Sequence, residues 1–409
     1  MPDALKFQRP LKRPTQAVIL AGGRGTRLQP YTDTRPKPMI EIHGKPFLEY
    51  LITLLREQGF ERVLLLLGYL PEIIQDYFGD GRKWGLDITY SISSPDDLTG
   101  RRVDLARDRI DSCFLLMYCD NYWPMQFDKM WEKFTAAGVP AMITVYSNKD
   151  KYSRDSVLVG DDSYVRIFDR SRKALGLQGI EISYAILTKE VLSLLPEEDI
   201  LIEDALYPPL TERGQLLAFV TDHRYYSVGS VERLPLTEAF LSPGRTVILD
   251  RDGVLNKRPP KAEYVRTWDQ FQWIDGSLEA LRLFKQSGYR VIVVSNQAGV
   301  ARGALTDKDL QIIHERMISE AADSDGCIDA IYYCPHNWDE GCDCRKPRAG
   351  MLFRAQREHS FDLTRTCFIG DDERDAQAAM EAGCPFELVS RDANLLQITK
   401  ALLNRSARN

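Results

Sequence analysis

Two aspartates one residue apart, in Asp250-Arg251-Asp252-Gly253, follow directly on the apolar run Thr246-Val247-Ile248-Leu249. A carboxylate at the end of a buried strand can attack phosphorus. A second one, two positions on, can protonate the leaving alkoxide and then activate water. Further pieces follow in the order such a reaction needs. Ser295-Asn296, after Val291-Ile292-Val293-Val294, offers polar groups to phosphoryl oxygens, and Lys346, in Arg345-Lys346-Pro347, offers a fixed cation. Asp371, in Gly370-Asp371-Asp372 after Cys367-Phe368-Ile369, offers a ligand for Mg²⁺ beside Asp250 and Asp252. Nucleophile, acid/base, cation and metal ligand together describe phosphoryl transfer. Arg302 and Arg345 are expected to bind the substrate, and Asp375 to support the metal shell.

A second phosphate-handling pattern lies near the start. Gly22-Gly23-Arg24-Gly25-Thr26-Arg27 follows the apolar run Gln16-Ala17-Val18-Ile19-Leu20. It lacks the Lys-Ser/Thr ending of a Walker loop. Its three glycines nevertheless allow close backbone approach and turn N–H groups toward anionic oxygens. Arg27 and Lys37, the latter in Arg35-Pro36-Lys37-Pro38-Met39, add positive charge suited to a polyphosphate, and the prolines restrict the backbone that aims Lys37. Gly22, Gly23, Arg24, Gly25 and Thr26 are the expected anion-binding residues of this loop. Asp120 follows Phe114-Leu115-Leu116-Met117-Tyr118-Cys119 and is expected to hold Mg²⁺ at that strand's carboxyl end.

Cys334-Pro335-His336 and, five residues later, Cys342-Asp343-Cys344 supply three thiolates and one imidazole. That is a tetrahedral Zn²⁺ set with no open position for a catalytic water, so the metal is expected to stiffen the loop that leads into Arg345-Lys346. Cys113, Cys119, Cys327, Cys367 and Cys384 lie in or beside apolar runs and read as core thiols. His43, His223, His314 and His359 have no ligand spacing.

These turns need strands to present them and helices to cover the strands. Residues 46–58 read as an amphipathic helix closed by Gly59 and residues 62–67 as the next strand; residues 276–286, closed by Gly288, and residues 290–294 repeat the pattern. The repetition predicts an α/β protein with parallel sheets, whose ligands lie beyond the carboxyl ends of the strands. At roughly 150 residues per domain, the 409 residues make two or three. The turn-forming Leu241-Ser242-Pro243-Gly244-Arg245 divides them into residues 15–241 and 245–395. Lys+Arg 53 against Asp+Glu 59 gives a net charge of −6, which carries no general footprint for nucleic acid. No apolar run approaches the ~20 residues of a membrane span, and the opening MPDALKFQRPLKRP has no signal-peptide core. A cytoplasmic location is expected, with Lys6, Arg9, Lys12 and Arg13 as a solvated arm. Oligomeric state is not legible.

The glycine loop with Arg35-Pro36-Lys37-Pro38 resembles the signature of the sugar-1-phosphate nucleotidylyltransferases over about residues 15–240. That resemblance implies a Rossmann-like, GT-A-like domain in which a sugar phosphate attacks the α-phosphorus of an NTP. Arg27 would neutralise the departing pyrophosphate, Lys37 would stabilise the α-phosphate, and Asp120 would ligate Mg²⁺. Two stretches depart from the family: Asp97-Leu98-Thr99-Gly100-Arg101-Arg102 stands for Leu-Gly-Thr-x-Gly, and Ser227 stands where a second metal carboxylate is usual, leaving Asp222 or Glu203 to substitute. Residues 245–390 resemble the haloacid-dehalogenase-like (HAD-like) phosphatases, a Rossmannoid fold. Ser295-Asn296-Gln297-Ala298-Gly299-Val300-Ala301-Arg302-Gly303 and the cysteine loop are similar to the heptose bisphosphate and histidinol-phosphate phosphatase branch. Here too there are departures, with Asp372 in place of a Lys and Arg348-Ala349 in place of x-Pro. Joined, the two resemblances imply heptose 1,7-bisphosphate losing its 7-phosphate and heptose 1-phosphate accepting GMP from GTP. The alternative is a histidinol-phosphate-type phosphatase fused to a transferase for another sugar 1-phosphate or for CTP, ATP or dTTP.

Overall fold

The apolar runs that precede the polar turns are strands buried on both faces, as parallel strands under helices must be. β1 (Gln16–Ala21) is buried at all six positions. The computed structural model describes residues 5–7, 11–260 and 263–406, and the chain divides into two units, Met1–Glu238 and Ala239–Asn409.

The first unit adds β2 (Arg62–Leu67), β3 (Asp87–Ile92), β4 (Cys113–Tyr118), β5 (Ala141–Tyr146), β6 (Ile180–Thr188) and β7 (Leu216–Thr221), in the order β7-β5-β6-β4-β1-β2-β3. β6 runs antiparallel to both neighbours; the other adjacent pairs are parallel. α1 (Phe47–Glu57) turns Phe47, Leu48, Leu51, Ile52 and Leu55 inward at helical spacing, and Gly59 beyond it takes φ +80°. α2 (Thr99–Leu105) and α3 (Ile202–Glu212) complete the part that borders the site. Strand order runs from β1 outward through β2 and β3, then restarts on the other side with β4. The crevice at this reversal, beyond the carboxyl ends of β1 and β4, is where open α/β sheets bind ligands. The glycine loop and Asp120 lie there.

The second unit repeats the device with β8 (Arg245–Asp250), β9 (Tyr289–Asn296), β10 (Ala330–Cys334), β11 (Cys367–Gly370) and β12 (Phe386–Leu388), all parallel, in the order β10-β9-β8-β11-β12. Its reversal falls between β8 and β11, which end at Asp250 and just before Asp371. α4 (Ser277–Gln286), α5 (Asp307–Asp323), α6 (Gly350–His359), α7 (Glu373–Ala382) and α8 (Leu395–Ser406) belong to this unit. α8 carries it past residue 395, because Leu395 and Ile398 join the core formed by Ala280, Leu281 and Phe284.

The cationic head is not simply solvated. Arg13 donates to the Gln58 carbonyl at 2.9 Å and to Asp128 at 2.8 Å, and lies over the Phe127 ring. Arg9 is outside the described residues. No helix among the described residues is long and apolar enough to cross a membrane.

Candidate active sites

β8 carries Asp250 into a cavity of about 590 Å³ lined also by Asp252, Ser295, Asn296, Arg302, Arg345 and Lys346. Lys346 is only 3% exposed. Its ammonium donates to Asp250 at 2.7 Å and to the Val294 carbonyl at 3.2 Å, and pairs with Asp375 at 2.6 Å. Asn296 fixes the lysine's backbone, its side chain donating to the Lys346 carbonyl and accepting from the Lys346 N–H, each at 3.0 Å. Burial pushes the Asp250 carboxyl above its ordinary range, Lys346 pulls it back, and Asp375 pushes it up again.

Asp252 has different company. Burial works against its charge, but Arg251 donates to both oxygens at 3.0 and 2.8 Å, and Asn256 and Gln297 each donate at 2.9 Å. Together they hold its carboxyl below the ordinary value. The carboxylate form suits activation of water; a phosphate dianion arriving beside it acts in the opposite sense and favours the protonated form needed for the leaving group. Ser295 is buried and accepts from Gln297 at 2.8 Å. Arg302 is held by Asn337 and the Tyr264 hydroxyl, both at 3.0 Å.

The carboxylates gathered here are Asp250, Asp371 and Asp375, with ligand oxygens within 4.8 Å of one another. Mg²⁺ bonds of 2.0–2.1 Å put opposite ligands about 4 Å apart, so the set fits. Asp375, expected to support the metal shell, stands in this group, and Asp252, expected as a ligand, does not, its carboxylate being engaged by Arg251, Asn256 and Gln297. Gly253 has to be glycine: at φ +98° a Cβ would fall 1.7 Å from an Asp371 oxygen. Asp372 does not leave the site short of cations, because Arg258 pairs with both Asp371 and Asp372, and Arg374 pairs with Asp372 at 2.8 Å.

Cys334, His336, Cys342 and Cys344 converge as expected. Cys334 Sγ stands 3.6 Å from Cys342 Sγ and 3.7 Å from His336 Nδ1; Cys344 Sγ stands 3.5 Å from Cys342 Sγ and 3.2 Å from His336 Nδ1. A zinc tetrahedron with bonds of about 2.0–2.3 Å has edges of roughly 3.3–3.8 Å, and the four donors trace such a figure.

In the first unit Gly22, Gly23, Gly25, Thr26, Arg27, Lys37 and Asp120 line a cavity of about 490 Å³. Gly25 takes φ +66°. Lys37 pairs with Asp120, their side chains 13% and 20% exposed. Arg24 is absent from the lining, its guanidinium being paired with Asp96 at 3.1 Å on the surface. Arg27, Tyr118, Asp120 and Gly229 also border a second hollow of about 950 Å³, which contains Arg172, Glu181, Glu203 and Arg233. Of the two carboxylates offered as substitutes at Ser227, Glu203 faces this hollow and accepts from the Tyr118 hydroxyl at 2.5 Å. Asp222 lines neither hollow and is bound by Ser147 and Lys149. Ser227 is occupied by its turn, accepting from the Gly229 N–H at 2.9 Å. Asp120 belongs to no cluster of three or more metal-capable side chains among the described residues.

Sequence reasoning gave no role to Arg251, Asn256, Gln297, Arg258 or Arg102. Their partners are set by folding, although Arg251 within the Asp-Arg-Asp triplet was a visible signal.

Fold and sites define a two-part α/β enzyme, one part handling nucleotides and the other hydrolysing phosphate esters. The Nucleotidyl transferase family model matches residues 16–155, and the HAD-hydrolase-like model matches residues 343–401. A D-glycero-beta-D-manno-heptose-1,7-bisphosphate 7-phosphatase of Bordetella bronchiseptica is 40% identical over 140 residues, 34% of this chain and 77% of that protein. A D-glycero-alpha-D-manno-heptose-1,7-bisphosphate 7-phosphatase of Campylobacter jejuni is 41% identical over 138 residues, 34% of this chain and 77% of its own. Among solved structures, HddC from Yersinia pseudotuberculosis complexed with GMP-PN is 29% identical, covering 54% of this chain and 96% of that one, with a TM-score of 0.46. The chain belongs to the D-glycero-D-manno-heptose-1,7-bisphosphate 7-phosphatase family, and by its nucleotidyl transferase half it is a bifunctional enzyme.

Proposed function

We propose that residues 245–395 hydrolyse the 7-phosphate of D-glycero-D-manno-heptose 1,7-bisphosphate and that residues 15–241 transfer GMP from GTP to the resulting heptose 1-phosphate. In the first reaction an Asp250 oxygen attacks phosphorus, the bond to the sugar oxygen breaks, and Asp252 supplies that oxygen's proton. Water then attacks the aspartyl phosphate, Asp252 takes a proton from it, and inorganic phosphate leaves. Lys346 holds Asp250 in place and offsets charge gathering on the phosphoryl group, while Ser295 and Asn296 border it and Arg302 and Arg345 receive the remainder of the substrate. Asp250, Asp371 and Asp375 would hold Mg²⁺, which when bound would supply further neutralisation of phosphoryl oxygens. In the second reaction the 1-phosphate oxygen attacks the α-phosphorus of GTP and pyrophosphate departs. Gly22, Gly23, Gly25 and Thr26 receive the nucleotide, Arg27 the pyrophosphate and Lys37 the α-phosphate, with Asp120 as the Mg²⁺ ligand. Positioning and charge carry this step.

The observation that carries the proposal is the Lys346 ammonium set between Asp250 and Asp375, with Asp252 separately fixed in the same cavity, in a chain whose phosphatase relatives act on this sugar bisphosphate. The GDP route implies the α anomer. Zinc at Cys334, His336, Cys342 and Cys344 is structural, and its three thiolates are consistent with a reducing cytoplasm. Purified chain incubated with each anomer of the bisphosphate should release phosphate, and on addition of GTP, but of no other NTP, pyrophosphate. Faster phosphate release from histidinol phosphate, or no pyrophosphate with GTP, would overturn the proposal.

A further inference from the structure

A buried cation lies beneath the glycine loop. Arg102, on α2, is 3% exposed. Its Nη1 donates to the Leu67 carbonyl and the Ser93 hydroxyl, both at 3.0 Å; its Nη2 donates to the Gly22 carbonyl at 3.2 Å and the Pro95 carbonyl at 3.1 Å. Each terminal nitrogen carries two N–H bonds, so all four are committed to protein acceptors. The guanidinium therefore ties three segments together: the end of β2, the loop of residues 93–97, and the glycine loop. Two glycines leave it room. A Cβ at Gly22 would fall 2.1 Å from Nη1, and one at Gly68 would fall 2.5 Å from it.

The consequence lies in one peptide plane. The Gly22 carbonyl also accepts from the Tyr69 N–H at 3.1 Å, so both its lone pairs are engaged. In a planar trans peptide the C=O of one residue and the N–H of the next point in opposite directions. Two donors that pull the Gly22 oxygen down toward β2 thus aim the Gly23 N–H the other way. Gly23 is exposed there and lines the nucleotide cavity, and a Cβ placed on it would meet nothing within 4 Å. Its four direct acceptors are neutral, and Asp97, Asp199 and Asp96 lie near enough to offset part of the cost of burying its charge.

We propose that Arg102 is a positioning residue of the nucleotidyl transfer site: it locks the Gly22–Gly23 peptide with its N–H toward the nucleotide phosphates and couples that loop to Asp96, Asp97 and Leu98 on the cavity's other wall. This rests on the nucleotide-binding reading of the cavity. Arg102 itself touches no substrate; it acts through the backbone it holds.

The same chain contains part of its own control, since phosphate release reports the second unit and thermal melting reports the fold of the first. R102M and R102K are compared with the wild type for Mg²⁺-GTP binding by calorimetry, for KM and kcat of pyrophosphate release, and for thermal melting. The expected result for R102M is nucleotide Kd and KM raised about ten- to a hundred-fold, with the KM for the sugar 1-phosphate and phosphate release within two-fold of wild type. R102K should recover part of the loss. G22A, which drives a methyl into the guanidinium, should weaken GTP in the wild type far more than in the R102M background. Should the R102M first unit not fold, R102K with wild-type melting decides: unchanged nucleotide Kd overturns the proposal and a raised one supports it. Unchanged Kd in a folded R102M also overturns it. A wild type that binds no nucleoside triphosphate would instead sink the reading of the cavity.

Discussion

Both reactive centres stand at the point where strand order reverses in a wholly or mostly parallel sheet, yet their charges are kept differently. In the second unit Lys346 and Asp375 are each about as buried as a core leucine, and Asp250 nearly so. In the first, Lys37 and Asp120 line a cavity open enough for a nucleotide, and Arg27 stands exposed. The difference follows the chemistry. A carboxylate that must itself bond to phosphorus has to be aimed before substrate arrives, so its counter-charges are fixed within the protein. A site that only brings two ligands together receives its strongest charges with them and can leave a cation such as Arg27 exposed to meet them, while Lys37 stays paired with Asp120 at the cavity wall. The sharpest way to break this comparison is D250N. The amide cannot form the acyl phosphate, and phosphate release should fall at least about 10³-fold. Pyrophosphate release from GTP and heptose 1-phosphate should stay within two-fold. K37A should do the reverse. Loss of both activities in either variant would show that the two sites do not work independently.

Burial should also separate the two lysines in stability. In metal-free protein, removing Lys346 leaves the buried Asp250 and Asp375 facing each other without their shared cation, and K346A should cost about 3–5 kcal/mol, read as a lowered denaturant midpoint. K37A breaks a pair beside an open cavity and should cost about 1–2 kcal/mol. The double variant D250N/K346M, which removes charge on both sides, should regain much of the K346A loss. If K346A melts like wild type, the buried triad is not held as described.

The loop proposed to hold zinc sharpens the comparison further, because it leads into only one of the two sites. Cys342 and Cys344 lead directly to Lys346, and the Asp343 carbonyl between them accepts from the Gly350 N–H at 3.1 Å at the start of α6. C344S should remove one zinc per chain by elemental analysis and lower phosphate release about ten- to a hundred-fold, with pyrophosphate release unchanged. Full zinc content in C344S, or full phosphatase activity without zinc, would overturn the ligand set or its role.

How much of this the sequence carried divides along physical lines. That Asp250, Asp252 and Lys346 would share one cavity, that Asp371 would stand beside Asp250, and that Cys334, His336, Cys342 and Cys344 would converge was legible because each stands at a strand end or at a fixed spacing, where local chain geometry already decides which way it faces. Asp375 was expected to support the metal shell, but that it and not Asp252 would stand with Asp250 and Asp371 was not legible, because the Asp252 carboxylate is drawn aside by Arg251 and Asn256 of its own turn and by Gln297, 45 residues away. Asp372 read alone suggested a missing cation; Arg258, 114 residues away, supplies one, and no local pattern announces such a pair. β6, antiparallel in an otherwise parallel sheet, was likewise invisible to a rule that expects strand and helix to alternate. Arg24 sits inside the glycine motif but faces Asp96, since a side chain in a turn is aimed by its backbone rather than by its place in a motif.

The smallest expected effect concerns the first unit's larger hollow. Burial, followed by the nearby Glu203, pushes the Glu181 carboxyl up to about 8, with Asp120 adding to the rise and the Ser183 N–H and Arg172 opposing it. Below that pH Glu181 is neutral; above it a negative charge appears in a hollow whose Arg170, Arg172 and Arg233 are suited to an anionic sugar phosphate. The KM for heptose 1-phosphate should therefore rise about two- to five-fold between pH 7 and 9, as a repulsion of order 1 kcal/mol or less at high effective dielectric implies, while the nucleotide KM stays level. Stability should move with it. A carboxyl whose folded value lies above its ordinary 4.5 holds more protons folded than unfolded between 4.5 and about 8. Its stabilising contribution is complete below that window and is lost as pH rises through it. E181Q keeps the shape, carries no titrating proton, and should flatten both the KM profile and this part of the melting profile. If both slopes survive in E181Q, the titrating group lies elsewhere and the hollow's charge does not select its ligand as argued.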